Sequence, residues 1–174
     1  MTERQKFEVL QKYKHFESRR YEACVIAQVV MPADYKSATS GAFRYLFNYI
    51  SKGNTTSTPI AMTAPVIATS DGGLDSQEWS ISFVMPAGSS IQHLPTPNNS
   101  NVVLRDMPAQ DCVALIFRGR ATSSLCKEKE ADLRRYAQNE NFILSKETRI
   151  CRFDPPFKPG FLHYNEILIP LTNL

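Results

Sequence analysis

No stretch of the chain approaches the roughly 20 consecutive apolar residues that a membrane-spanning helix requires. The segment Met1 to Lys6 is polar and has no apolar run of signal-peptide length behind its charges. The expectation is a cytoplasmic protein with no membrane insertion. Histidine is scarce: His15, His93 and His163 stand far apart. The four cysteines, Cys24, Cys112, Cys126 and Cys151, form no close pair of the zinc-binding or redox kind, so buried reduced thiols are expected and no metal site is marked. Charge of one sign is not in excess either. Twenty Lys and Arg face 17 Asp and Glu, a net charge of +3 without a basic block, and nucleic acid is not an expected partner. What the chain does have is apolar mass. With 43% hydrophobic residues in 174, it can build one sizeable core and is too short for a second full domain, so residues 1–174 are read as one unit.

The order of elements repeats. An apolar run from Ala23 to Met31 reads as a buried strand, followed by a helical pattern over about Ser37 to Ser51. Further on, Cys112 to Phe117 reads as a strand, with Val113, Leu115 and Phe117 alternating with smaller residues, and a helical pattern follows over about Ser124 to Asn139. Cys24 and Cys112 mark equivalent places, 88 positions apart. Each half then closes on an apolar run ending in proline, Ile81 to Pro86 and Glu166 to Pro170, the prolines 84 positions apart. Such spacing predicts a pseudo-twofold repeat of strand, helix, strand, strand, with halves at about 7–95 and 101–171 and both helices on one side of a shared antiparallel sheet.

The two helices differ in character. The first carries Ala38, Ala42, Phe43, Leu46, Phe47, Tyr49 and Ile50, a broad apolar face, and stops at Gly53-Asn54. The second shows only the stripe Cys126, Leu133, Tyr136 and Ala137, with a Glu130–Arg134 pair at i, i+4, and reads as mostly solvated. Ala68 to Gly73 reads as a turn between strands, Pro86 to Asn101 as the polar seam between halves, and Asp154-Pro155-Pro156-Phe157-Lys158-Pro159-Gly160 as a stiff, extended loop fit to rim a cleft.

Three strings in this pattern resemble the signature of the SOUL/heme-binding protein family: Ile60-Ala61-Met62-Thr63-Ala64-Pro65-Val66, Phe153-Asp154-Pro155-Pro156-Phe157 and Asn165-Glu166-Ile167. With Phe16 to Glu22 resembling the family's opening segment, the likeness runs from about Phe7 to Leu171. It implies an α+β fold, a distorted antiparallel β-barrel carrying two main helices, related in architecture to GyrI-like effector-binding domains. It also implies heme or a related tetrapyrrole as ligand, held non-enzymatically in an apolar groove beside the first helix for buffering, transport or sensing. Some animal members place a proposed iron-ligating histidine just before the tyrosine of the opening segment. Here that position is Arg20, which stays protonated and cannot ligate iron.

A heme-sized ligand needs a flat apolar slot, polar anchors for two propionates and, optionally, an iron ligand. The candidate walls are Phe43, Leu46, Phe47 and Ile50 of the first helix, with Met62 and Met85. The candidate anchors are Arg44 and Lys158, and Met62 and His163 are the conceivable ligands. The same groove would accept another flat apolar small molecule. Each of these residues also has an ordinary structural use as core or solvated surface. A different class of reading is a GyrI-like small-molecule sensor or hydrolase that uses a cleft carboxylate, Glu166 or Glu78, as cation receptor or general base. No partner nucleophile accompanies either residue, and Glu166 reads equally as a structural partner of an arginine. A third reading is an interaction scaffold that uses the charged helix over 124–139.

Overall fold

The computed structural model describes residues 2–172. Among these, fourteen elements follow in order: β1 Glu3–Arg4, β2 Phe7–Lys12, β3 Glu17–Tyr21, β4 Cys24–Met31, α1 Tyr35–Ile50, β5 Thr63–Ala64, β6 Val66–Ser70, β7 Trp79–Val84, β8 Val103–Met107, β9 Gln110–Arg118, α2 Ser123–Asn139, β10 Thr148–Arg152, a 3-10 turn Gly160–Leu162, and β11 Tyr164–Pro170. Nine of the strands form one antiparallel sheet in the order β2-β3-β9-β11-β10-β6-β7-β4-β8, curled into a half-barrel, while β1 and β5 pair in parallel as a short separate ribbon.

The predicted duplication is present. Its axis passes between β6 and β10, and on either side β7 matches β11, β4 matches β9 and β8 matches β3. The helices begin at Tyr35 and Ser123, 88 positions apart. The pairs Ile26↔Val84 and Ala114↔Leu168 occupy corresponding rungs, so the closing strands are 84 positions apart. What the repeat pattern did not reveal is an exchange at the outer edges. β3 leaves its own half to pair with β9, and β8 leaves its half to pair with β4, so the halves are interlocked.

Both helices pack on one face of the sheet, and alternation along each strand separates the two faces. Val113, Leu115, Phe117, Ile150, Ile167 and Ile169 meet the helices, whereas Cys112, Ala114, Cys151 and Leu168 point to the concave face. Asp34 caps α1 by accepting from the Ser37 N–H at 2.8 Å. Ala38, Ala42, Leu46, Tyr49 and Ile50 recur at helical spacing and lie buried over Trp79, Ile81 and Phe83. The Gly53 stop works by close approach: its N–H donates to the Asn48 carbonyl at 2.8 Å, and a Cβ at Gly53 would lie 2.6 Å from that oxygen. α2 buries only Cys126, Leu133 and Ala137, and Glu130 pairs with Arg134 at 3.5 Å, as its narrow stripe predicts. The turn expected over Ala68 to Gly73 is shorter, because β6 runs on to Ser70.

Candidate functional site

The face of α1 expected to border a groove is partly open to solvent. Phe43 is half-buried and packs edge-on against Phe83, ring centroids 5.5 Å apart. Phe47, one turn further, lies nearly parallel to Phe43 at 5.8 Å and 12° and is 50% exposed. The signature string returns alongside: the Ile60 N–H donates to the Ile50 carbonyl at 2.8 Å, Met62 is exposed, and Thr63 enters β5, its hydroxyl donating to the Val84 carbonyl. Of the six expected wall residues, Phe43, Phe47 and Met62 reach the surface. Leu46 and Ile50 are buried on the sheet-facing side of α1, and Met85, just past the end of β7, is buried in the same core.

Among the polar candidates, Arg44 is exposed and forms no ion pair among the described residues. The Lys158 ammonium is engaged by Asp154 at 2.9 Å, and His163 is half-buried with Nε2 2.8 Å from the Lys158 carbonyl. Arg20, at the position of the family's proposed histidine ligand, is exposed and holds Asp111 through two hydrogen bonds of 2.9 and 3.0 Å. No group of three or more His, Cys, Asp or Glu able to hold a metal ion occurs among the described residues.

The carboxylate candidates separate. Glu78 is exposed at the turn before β7, and the residue that matches Glu166 under the pseudo-twofold is Ser82, since Leu168 matches Val84. Glu166 lies buried on the concave face, away from α1. Its Oε1 accepts from Arg19 Nη1 at 2.8 Å, and its Oε2 accepts from Arg19 Nη2 at 3.0 Å and from the Tyr164 hydroxyl at 2.6 Å. Arg19 also donates to Tyr21 Oη at 2.8 Å and to Glu17 at 2.7 Å. Burial works against the guanidinium's charge, but Glu166 and Tyr21 together outweigh it and hold Arg19 more firmly protonated than in water. Burial, reinforced by the hydrogen bond to Glu166, pushes the Tyr164 hydroxyl up to about 12.

The mouth of the half-barrel is crossed by the N-terminal segment. Gln5 N–H donates to the Ala64 carbonyl at 2.9 Å, and the Arg4 guanidinium lies 4.9 Å from the ring centre of Phe153 and 5.5 Å from that of Tyr164. A cavity of about 50 Å³ remains between Arg4, Phe7, Tyr21, Phe153, Tyr164 and Glu166, and one of about 180 Å³ lies on the other side of the segment, against Cys24, Thr63 and the Pro86–Ser89 turn. Arg19 was not singled out by its sequence, because arginine in a polar strand reads as surface. The available signal was its period-two alternation with Glu17 and Tyr21.

An interlocked pair of strand-helix-strand-strand halves on one curled antiparallel sheet, with both helices on one face, defines the α+β class of the fold. The sequence model of the SOUL heme-binding protein family matches residues 2–170, and the chain belongs to that family. No curated relative matches the chain. Among solved structures, the EcmrR C-terminal domain is similar with a TM-score of 0.70 at 12% identity over 91% of this chain and 99% of that one. A hydrolase from Listeria innocua is similar at TM-score 0.61, 12% identity and 94% of each chain. The structure of SAV2435 bound to tetraphenylphosphonium is similar at TM-score 0.53, 9% identity, over 91% of this chain and 94% of that one. At these identities the likeness is one of fold.

Proposed function

We propose that the protein reversibly binds heme or a related flat tetrapyrrole against the outer face of α1, to buffer, carry or sense it. The observation that carries this reading is the Phe43–Phe47 pair. Phe43 is anchored edge-on to the core residue Phe83, and Phe47 extends that stack into solvent with half of its surface uncovered. A macrocycle laid on Phe47 continues the stack and removes apolar surface from water. Met62, in the signature string, is exposed, and Arg44, on the same helix and without an ionic partner among the described residues, is the basic group to meet a propionate.

The side chains there suit the macrocycle better than its metal. Of the two conceivable ligands, Met62 offers only a thioether and His163 has Nε2 against a carbonyl. Binding is therefore carried by ring contact, with iron ligation by Met62 as a subsidiary contribution at most. A visible-absorbance titration with hemin, run beside a fluorescence titration with iron-free protoporphyrin IX, tests this. Dissociation constants within a few-fold of each other support it, and saturable binding of hemin alone refutes ring-borne recognition.

The fold is shared with a protein captured with tetraphenylphosphonium and with a hydrolase, which keeps cation sensing and hydrolysis in view for the concave face. Glu166 is poorly placed for either. Both its oxygens are engaged, and Arg4 already covers the neighbouring aromatic rings.

A further inference from the structure

The loop from Asp154 to His163 is firmly built, yet it turns its largest apolar side chains outward. Asp154 ties its two ends together: one carboxylate oxygen accepts from the Tyr164 N–H at 2.6 Å and the other from the Lys158 ammonium at 2.9 Å. Lys158 N–H donates to the Pro155 carbonyl at 3.2 Å, and Leu162 N–H to that of Pro159 at 2.9 Å, which closes the 3-10 turn. Pro155, Pro156 and Pro159 restrict the backbone further. Gly160 is buried against Arg120, where a Cβ would lie 2.6 Å from both Cγ and Nε of that side chain. On this scaffold Phe157 is 88% exposed, Phe161 is 77% exposed and Leu162 is exposed beside them.

Two aromatic rings held almost entirely in water on a stiff loop mark an interaction surface rather than accidental exposure. The loop's base is cationic. Arg118 is exposed, lies 5.1 Å from the Tyr164 ring centre and donates to the Leu162 carbonyl at 3.3 Å, and Arg120 is exposed against Gly160. The one carboxylate within the loop, Asp154, is already neutralised by Lys158.

We infer that this loop docks the protein peripherally on an anionic lipid surface, with Phe157 and Phe161 entering the boundary between headgroups and acyl chains and Arg118 and Arg120 facing the lipid phosphates. A convex apolar tip needs a medium that yields around it, which a bilayer boundary supplies and a flat protein surface does not. The basic base of the tip complements negatively charged headgroups. Such docking needs no spanning segment, and no helix among the described residues is long and apolar enough to provide one. It stands independently of the tetrapyrrole reading, which concerns α1.

The test is co-sedimentation of the full chain with phosphatidylcholine vesicles, with and without phosphatidylserine, for the natural protein, Phe157→Ser/Phe161→Ser and Arg120→Glu. Both phenylalanines are solvent-exposed, so the double variant is expected to keep its melting temperature, checked in parallel. The expected result is binding to phosphatidylserine vesicles that weakens as salt is raised. It falls roughly tenfold or more in the double variant, since burying even one phenylalanine is an effect of that scale. Arg120→Glu lowers binding to phosphatidylserine vesicles and leaves phosphatidylcholine binding unchanged. Protein that stays in the supernatant with both vesicles, or a double variant that binds as the natural protein does, overturns the inference. So does light scattering that shows the double substitution dissociating an oligomer while lipid has no effect.

Discussion

Replacing Arg19 by methionine removes the cation from a pair whose side chains are 1% and 4% exposed, leaving the Glu166 carboxylate buried with only the Tyr164 hydroxyl to satisfy it. Breaking a buried pair from one side costs about 3–5 kcal/mol, because the remaining charge keeps its desolvation penalty and loses its compensation. Tyr21 Oη also loses its donor, adding about 1 kcal/mol. For a chain of this length, each kcal/mol lowers Tm by roughly 2–4 °C, so the single variant should melt on the order of 10 °C or more below the natural protein. Arg19→Met/Glu166→Leu removes both charges and should recover most of that loss, since a matched apolar pair is often neutral relative to a buried ion pair. The fold itself offers a precedent: the pseudo-twofold counterparts of Arg19 and Glu166 are Met107 and Ser82, so the equivalent pair of positions carries no charge. Urea denaturation of the natural protein, both single variants and the double variant completes the cycle. A single-variant cost below about 1 kcal/mol, or a double variant equal to the sum of the singles, would refute the view of Glu166 as a mutually satisfied structural partner.

At high pH the protein should lose stability steadily. Burial pushes the Cys112 thiol up to about 11 and the Cys126 thiol up to about 12, and it raises Cys151 and Tyr21 as well, so the folded state keeps protons that the unfolded chain releases from about pH 9 upward. The contribution is intact below pH 9 and is lost as pH rises through 11 to 12, and Cys126→Ala should flatten that slope in urea melts at pH 8, 9 and 10. Thiol labelling of the folded protein at pH 8 should begin at half-buried Cys24, with Cys112, Cys126 and Cys151 reacting only after denaturant is added; labelling in another order would contradict the burial pattern. Thr122→Ala removes the side chain that accepts from the Leu125 N–H at 3.2 Å and should cost about 1 kcal/mol, a loss that Thr122→Asn should largely avoid.

The local elements were legible because each obeys its own periodicity. The strand expected over Ala23–Met31 is β4, Cys24–Met31, and the helix expected over Ser37–Ser51 is α1, Tyr35–Ile50. The duplication was legible from spacing alone, since insertions fall in the loops and leave the offsets of 88 and 84 intact. The strand exchange was not, because β3 and β8 alternate polar residues whose partners lie far away in sequence, and nothing in Glu17–Tyr21 specifies pairing with β9. Arg19 is the sharpest case. Its burial depends on Glu166, 147 positions away, so only the folded chain shows it as interior. The candidate groove was legible as an apolar helix face but not as to which residues open outward. Phe43, Leu46, Phe47 and Ile50 are alike in composition, and only the packing of α1 on Phe83 and Ile81 leaves Phe47 uncovered while sealing Leu46.

The central claim is that the outer face of α1 holds the ligand while the concave face is structural. The most direct measurement is one hemin titration, followed by the Soret band, across the natural protein, Phe47→Ala and Arg19→Met/Glu166→Leu. The account predicts a saturable shift at one equivalent, about tenfold weaker for Phe47→Ala through the lost stacking and apolar contact, and unchanged for the double variant. Hemin affinity indifferent to Phe47 but abolished in the double variant would contradict it and move the ligand to the concave face around Glu166.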